Sequence, residues 1–165
     1  MTDEQLTTPH QANFRKTLGR LPTGVVVVTG GDPEQPSGLV VGSFMSLSMD
    51  PPLICVSPAK TSTSWPAIEQ AGKFCANVLH KHQEHLARNF SKSGIDKFAG
   101  INWTPSPATG SPLLEEVSAW IDCEIDRVIE AGDHWLVIAK VLELGVNPED
   151  GALAFLGGSF HQLHK

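Results

Sequence analysis

The sequence predicts a mainly β fold, a mostly antiparallel barrel with short helical inserts. Its 15 glycines and 12 prolines make up 27 of 165 residues, which is typical of a chain with many turns and short strands. Residues 117–126 alternate apolar and polar side chains, as a half-buried antiparallel strand does. Four consecutive valines at 25–28 favour a strand buried on both faces. Neighbouring strands often lie at hairpin distance, which argues against a doubly wound parallel sheet.

The remaining elements follow from local signals in the chain. Helical spacing of apolar residues predicts a helix over residues 10–21, and Ser64-Trp65-Pro66 begins another that Gly72 ends. A further short helix carries Leu86 and Phe90 on one face. The six or seven predicted strands cover residues 24–29, 37–49, 53–57, 74–79, 117–126, 135–144 and 153–160.

One domain is expected for a chain of this length. Residues 10–165 are assigned to it, and the polar residues 1–9 are predicted to be a flexible segment. Residues 92–112 are rich in glycine and proline and show no strong period. They are therefore predicted to form a long excursion over the core.

Composition and charge exclude several classes of partner. The formal net charge is −6, which argues against a nucleic-acid surface built on counterion release. No apolar stretch approaches the length of a membrane span, and the N-terminus carries no signal-peptide pattern, so we expect a cytoplasmic protein. Cys55, Cys75 and Cys123 each lie within an apolar run, and we expect them to be buried and reduced.

Familiar catalytic motifs are absent from the sequence. It contains no dinucleotide-binding G-x-G-x-x-G after a strand, no phosphate-binding P-loop, no G-x-S-x-G and no H-E-x-x-H. Histidines do occur in two groups, His80, His82 and His85, and His161 and His164. Histidines three apart on a helix can share a metal ion, but their charged and polar neighbours favour a solvated face and a polar tail. No metal site is predicted.

Three segments could hold a ligand, and each has a structural alternative. Residues 60–64 combine one lysine and four hydroxyls before a helix, which suits an anion, although Thr63 or Ser64 could simply cap that helix. Residues 40–48 carry a glycine and three serines, which leaves backbone open to a flat ligand, or they form an ordinary strand with one polar face. His134 follows a hairpin turn, where it could orient a ligand or be structural.

Taken in order, several segments resemble one known family. They are Pro22–Val25, Gly38-Leu39, Ser43–Leu53, Lys60–Thr63, Phe74–Leu79, Lys97–Gly100 and Gly132–His134. Together they are similar to the flavin reductase-like family of FMN-binding split barrels, over about residues 14–163. The order of the motifs is specific, whereas no single motif is.

The resemblance implies a homodimeric split barrel that binds FMN or FAD and takes hydride from NADH or NADPH. The reduced flavin would then diffuse to a separate oxygenase component. The resemblance places His134 at the nicotinamide as the catalytic residue. The flavin contacts it implies are Ser43, Phe44, Ser46, Asp50 and Pro51 around the ring, Lys60, Ser62, Thr63 and Ser64 at the phosphate, and Asn89, Phe90, Ser91, Lys97 and Phe98 on the facing side.

Two positions depart from the family pattern. Val40 and Gly42 stand where many relatives have a hydroxyl and a serine or asparagine. The absence of a catalytic acid or base suits hydride transfer, because the flavin and the nicotinamide carry that chemistry. Two other hypotheses stay open from the sequence: a flavin carrier without reductase turnover, and a dimerising structural barrel that binds no flavin.

Overall fold

The computed structural model describes residues 11–149 and 151–164 of the chain, so the predicted flexible segment 1–9 lies outside the described residues. Three short helices and twelve strands form within the described part. They are, in chain order, α1 (Gln11–Leu18), β1 (Thr23–Gly24), β2 (Val26–Asp32), β3 (Gln35–Val41), β4 (Phe44–Met49), β5 (Pro52–Val56), α2 (Trp65–Ala71), β6 (Lys73–Val78), α3 (Glu84–Phe90), β7 (Trp103–Pro105), β8 (Pro112–Leu114), β9 (Ala119–Ala131), β10 (His134–Val146), β11 (Ala152–Leu156) and β12 (Ser159–Leu163).

Seven strands form the main sheet, in the order β3-β2-β6-β9-β10-β5-β4, and every pairing in it is antiparallel. Its outermost strands, β3 and β4, follow each other in the chain with only Gly42 and Ser43 between them. A link this short requires the sheet to curl until its two edges approach each other. The result is an open barrel with its gap at residues 42–43, and the prediction of a mainly β, antiparallel fold with helical inserts is confirmed.

Several predicted boundaries are wrong, mostly where a strand is short. The predicted strand 37–49 is two strands, because the chain turns at Gly42 and Ser43. The excursion 92–112 includes parts of the small hairpin β7–β8, and β11 pairs with both β1 and β12 in a third sheet. Strands of two to five residues are too short to show an alternating pattern, so the count of six or seven strands was too low.

The valine run at 25–28 divides two hydrophobic clusters. The second and fourth valines pack inside the barrel with Phe74, and the first and third pack beneath α3 with Phe90. Each valine is at most 3% exposed, which confirms the prediction of a segment buried on both faces. This segment therefore holds α3 against the outside of the barrel. A cavity opens where α3 and the barrel meet.

The alternating pattern over residues 117–126 predicts that Asp122 lies on the polar face of its strand, and this prediction is wrong. The Asp122 side chain is fully buried, at 0% exposed. The carboxylate accepts hydrogen bonds from the backbone N–H groups of Ala108, at 2.8 Å, and Thr109, at 3.0 Å, and from the Thr109 hydroxyl. A buried carboxylate is tolerated when its lone pairs are satisfied in this way. Asp122 thereby anchors the excursion to the barrel.

The cysteine prediction is confirmed. Cys55, Cys75 and Cys123 are buried and free. Burial raises the pKa of all three thiols, that of Cys123 to about 12, so they are protonated at neutral pH. No described helix has both the length and the apolar character needed to span a membrane.

Candidate functional site

A cavity of about 1170 Å³, called the main cavity below, opens beside the gap of the barrel. Its walls come from five places in the chain: the end of β3 with the link at 42–43, the segment that follows β5, the end of α3 with Lys97, the turn between β9 and β10, and α1. This volume exceeds the roughly 300–1,000 Å³ of pockets that hold a drug-sized ligand. The cavity is therefore large enough for a nucleotide and a second molecule beside it.

Residues 57–63 form one wall and are fixed to the turn between β9 and β10. The Trp135 backbone N–H donates to the Pro58 carbonyl and the Lys60 N–H donates to the Asp133 carbonyl, both at 2.9 Å. Ala59 and His134 pair as an isolated bridge between these two hydrogen bonds. The backbone of His134 is thereby held beside the hydroxyl-rich part of the same wall.

The hydroxyls of residues 61–64 are divided between the cavity and the protein interior. Thr61, Ser62 and Thr63 line the cavity. The Ser62 hydroxyl accepts from the Trp65 N–H at 3.2 Å at the start of α2, so neither of the caps considered from the sequence is used. Ser64 is buried and makes no capping hydrogen bond. Capping thus engages one hydroxyl of this wall, as an acceptor.

Lys97 holds three walls of the cavity together. Its ammonium donates to the Gly38 carbonyl at 2.9 Å, to the Ser64 hydroxyl at 3.0 Å and to the Phe90 carbonyl at 3.0 Å. These acceptors lie on β3, before α2 and at the end of α3. Burial lowers the pKa of Lys97, since desolvation disfavours the charged form. The Asn89 side-chain amide donates to the Lys97 carbonyl at 2.6 Å, which fixes the backbone of the lysine as well.

The Lys60 side chain lies outside the lining of the main cavity. Its ammonium pairs with the Glu130 carboxylate and lies 5.0 Å from the centre of the Trp135 ring. The ion pair lowers the pKa of Glu130. Both partners belong to the β9–β10 hairpin, 70 and 75 positions along the chain from the lysine. The hairpin therefore holds the Lys60 side chain away from the cavity lining, and the phosphate contact of Lys60 stays a prediction.

Ser43 lies at the gap of the barrel and lines the cavity. Its hydroxyl donates to the Ser57 carbonyl at 3.0 Å and accepts from the Ser57 N–H at 3.1 Å. The pair extends the β4–β5 pairing by one residue beyond Phe44 and Val56, where the link between β3 and β4 meets residues 57–63. The serine predicted to approach a flat ligand is thus also a structural bridge.

The other residues predicted on this side lie away from the cavity. Phe44 packs against the cluster inside the barrel. Ser46 is exposed on β4, and Asp50 and Pro51 are exposed in the turn that follows it. The cavity lining includes none of these four residues. The difference arises because β4 runs away from the gap after Ser43.

On the facing side, Phe90 and Ser91 line the cavity, whereas Asn89 and Phe98 support them. The Phe98 ring meets the Phe90 ring edge-on, with 5.2 Å between centroids. A Cβ at Gly38 would lie only 2.5 Å from a Phe90 ring carbon, so only glycine allows β3 and α3 to approach this closely. The position of Phe90 in the cavity wall therefore depends on that glycine.

His134 reaches the cavity from the start of β10. Its Nδ1 lies 2.7 Å from a carboxylate oxygen of Asp133, and this contact lowers the pKa of Asp133. The hydrogen bond engages Nδ1, which leaves Nε2 as the ring nitrogen able to contact a ligand. The imidazole side chain is 44% exposed, so a ligand in the cavity has access to it.

Sequence reasoning missed two cations of the cavity. Arg15 of α1 and Lys92, just after α3, line it together with Lys97, and Asp133 is the single carboxylate that the described part of the chain contributes to the lining. The cavity therefore carries a positive balance in a chain whose net charge is −6. Neither residue belongs to a motif, and only the fold brings them to the same opening. Such a lining favours an anionic ligand.

Metal ligands do not gather elsewhere in the described residues. His80, His82 and His85 line a separate pocket of about 390 Å³. No group of three or more histidine, cysteine or acidic side chains is placed to hold a metal ion within residues 11–149 and 151–164.

Comparison with known proteins identifies the family. The family described as "Flavin reductase like domain" matches residues 18–164. The chain is 50% identical over 148 residues to a flavin reductase of Pseudomonas putida, covering 89% of this chain and 86% of the relative. It is 44% identical over 147 residues to HsaB, the reductase subunit of a flavin-dependent monooxygenase of Rhodococcus jostii (strain RHA1), covering 89% and 75%.

A solved structure shows the same fold. The NADH:FAD oxidoreductase SgcE6 of Streptomyces globisporus C-1027, in complex with NAD and FAD fragments, superposes with a TM-score of 0.89 at 31% identity, and the match covers 96% of each chain. The chain belongs to the flavin reductase-like family.

Proposed function

We propose that this chain is an NAD(P)H-dependent flavin reductase that supplies reduced FMN or FAD to a separate monooxygenase component. One observation carries the proposal: a single cavity joins the barrel gap, an anion-binding wall and an accessible histidine. The Rhodococcus relative is named as the reductase subunit of a flavin-dependent monooxygenase, and the Streptomyces structure contains NAD and FAD fragments. Both names support the same reaction for this chain.

The residues present fit a flavin mononucleotide. The hydroxyls of Ser62 and Thr63, with Arg15 and Lys92 across the opening, suit a phosphate dianion. The link at residues 42–43 presents backbone and the Ser43 hydroxyl to a flat, mostly uncharged ring. When bound, the flavin accepts hydride from the reduced nicotinamide. The protein supplies the surface that holds the two rings together and limits their contact with water.

His134 is assigned to the nicotinamide. The hydrogen bond at Nδ1 and the backbone bridge to Ala59 fix the imidazole, so that Nε2 can hydrogen-bond a ligand above the barrel gap. An imidazole held in this way orients the nicotinamide without taking a proton from it. The role is one of geometry, and a loss should therefore affect hydride transfer more than flavin affinity.

The remaining predicted residues are assigned supporting roles. Lys97, Asn89 and Phe98 position the α3 wall, and the buried Ser64 completes the hydrogen bonding of the Lys97 ammonium. Phe44 fills the barrel behind Ser43. Four predicted residues lie outside the lining of the main cavity: the exposed Ser46, Asp50 and Pro51, and the half-buried Lys60. They would contact a flavin only if a partner or a bound ligand altered the opening of that cavity.

A homodimer is proposed from the outer face of the sheet. Across the neighbouring strands β4, β5 and β10, the register aligns Met45, Cys55 and Ile138. Leu136 lies two residues before Ile138 on β10 and is paired with Ile129 of β9. These residues form one outer apolar row, in which Met45, Leu136 and Ile129 are 52%, 36% and 43% exposed. A contiguous apolar face of this kind is typical of an interface. A second copy of the chain is its proposed occupant.

The boundaries and location of the protein are proposals as well. Residues 10–165 are proposed to act as one domain, because both hydrophobic clusters draw on strands from the two halves of the chain. A cytoplasmic location is proposed because three free, buried thiols suit a reducing compartment.

The turnover assay tests the proposed function directly. Purified protein is incubated with NADH or NADPH and with FMN or FAD in all four combinations, and the loss of reduced nicotinamide absorbance is followed. We expect many turnovers per protein chain with at least one pair. Tight flavin binding without turnover would identify a carrier instead, and no flavin binding would identify a structural barrel.

The phosphate wall predicts a loss of flavin affinity in Thr63→Val, which removes a hydroxyl with little change of volume. We expect flavin to bind about 5-fold more weakly, because one hydrogen bond to a charged phosphate is lost. Fluorescence titration measures the change, and Thr104→Val on β7 is the matched control. Lys60→Met should bind flavin as tightly as wild type does. A loss of flavin affinity larger than that of Thr63→Val would show that Lys60 contacts the phosphate.

His134→Ala separates positioning from binding. We expect the rate of hydride transfer to fall by about 10-fold, because a misplaced reacting pair loses rate steeply, while flavin affinity changes less. Stopped-flow oxidation of NADH gives the rate, and flavin titration gives the affinity. His161→Ala, on the exposed strand β12, is the control. Equal rates in wild type and His134→Ala would remove the histidine from the mechanism.

The outer apolar row predicts a monomer when a charge is placed within it. We expect Leu136→Glu to be a monomer in solution, because association would bury an unpaired carboxylate in the interface. Light scattering after size-exclusion chromatography measures the mass. Leu163→Glu, at a more exposed leucine on β12, should keep the mass of the wild type. A monomeric wild type would exclude the dimer.

A further inference from the structure

A second cavity, of about 620 Å³, lies between the end of α1 and the turn of the β11–β12 hairpin. Arg15, Lys16 and Arg20 line it on one side, and Leu156 and the Gly157-Gly158 turn on the other. Among the described residues, the lining contains three cationic side chains and no carboxylate. We propose that this second cavity binds the adenosine diphosphate half of a dinucleotide whose redox ring occupies the main cavity. The proposal rests on the proposed function and extends it.

The two cavities meet at one side chain. Arg15 lines both of them. FMN ends at a single phosphate, which the main cavity accommodates, whereas FAD, NADH and NADPH continue through a pyrophosphate to adenosine. That continuation needs a neighbouring space with cations along it. The second cavity provides such a space, and Arg15 stands where the pyrophosphate crosses from one cavity to the other.

The charge of the second cavity is unusual for this chain. Three of its 12 lysines and arginines fall within residues 15–20, although the net charge is −6. Lys60, Arg88, Arg127 and Lys140 each pair with a carboxylate. Within residues 11–149 and 151–164, Arg15, Lys16 and Arg20 form no such pair.

The C-terminal end of a helix favours cations, and this accounts for part of the cluster. Arg15 and Lys16 lie in the last turn of α1, but Arg20 follows the helix end at Leu18. The helix dipole therefore does not account for Arg20.

The opposite wall is open backbone. Gly157 and Gly158 have φ values of +60° and +86°, and a Cβ on either would meet no atom within 4 Å. The Gly157 N–H donates to the Gly19 carbonyl at 2.9 Å, which ties the hairpin to the chain just after α1. The two walls are therefore fixed to each other. Leu156, 37% exposed, adds apolar surface on which an adenine ring can lie.

Calorimetric titration with ADP alone tests the second cavity without any redox reaction. Wild type should bind ADP with an affinity that falls as salt concentration rises, because the site is exposed and cationic. Arg20→Ala should weaken ADP binding about 5-fold, and Arg15→Ala with Arg20→Ala more than about 10-fold. Arg127→Ala, which removes the same charge from β9, is the control and should bind ADP as wild type does.

Two further titrations identify which dinucleotide uses the site. Arg20→Ala is titrated with FAD and with FMN, and its KM for NADH is measured with FMN as the acceptor. A loss of affinity for FAD but not FMN assigns the adenosine half of the flavin, and a raised KM for NADH assigns that of the nicotinamide nucleotide. Arg20→Lys should restore part of the loss, since it keeps the charge.

The outcomes separate this inference from the proposed function. The proposal for the second cavity is overturned if ADP does not bind wild type, or if it binds Arg20→Ala as tightly as wild type. Either result overturns it even when the protein oxidises NADH. ADP binding that depends on Arg20 in a protein without turnover supports the second cavity and rejects the reductase.

Discussion

The hydrogen bonding of the half-buried Lys97 ammonium is the interaction on which the main cavity depends. An ammonium group partly withdrawn from water needs protein acceptors, and here they come from β3, from the residue before α2 and from the end of α3. Meeting that need brings three distant parts of the chain to one point. The lowered pKa of Lys97 records the cost of burial, and the three hydrogen bonds offset it. The lysine thus acts first as a structural link between the cavity walls.

The placement of the charged side chains explains how a protein with a negative net charge presents a site for an anion. Carboxylates on the β9–β10 hairpin and on α3 neutralise nearby lysines and arginines. The main cavity keeps Arg15 and Lys92 beside Lys97, with one carboxylate at Asp133. Electrostatic potential depends on where charges lie, so a net charge of −6 and a positive opening are compatible. The second cavity continues this local excess of positive charge along α1.

The parts of the site that the sequence predicted are those carried by short, local segments. Ser43, Ser62, Thr63, Phe90, Ser91 and His134 line the main cavity as expected, and each lies beside a turn or helix end that the sequence marks clearly. The lysine of the 60–64 segment lies outside the cavity lining because it pairs with Glu130, 70 positions away, and that partner could not be read from the sequence. Asp122 followed an alternating pattern and is nevertheless buried, because the donors that satisfy it come from the excursion at 108–109.

By itself the sequence determined the mainly β class, the valine segment between two hydrophobic clusters, the buried cysteines and the ordered motifs of the flavin reductase-like family. These properties depend on the periodicity of nearby residues and on short motifs, which a single chain displays directly. Only the tertiary structure decided which cation faces the cavity, where the barrel opens, and that Arg15 joins two cavities. Those outcomes depend on contacts between residues far apart in the chain, where the partner that a charged side chain finds depends on the packing of whole strands.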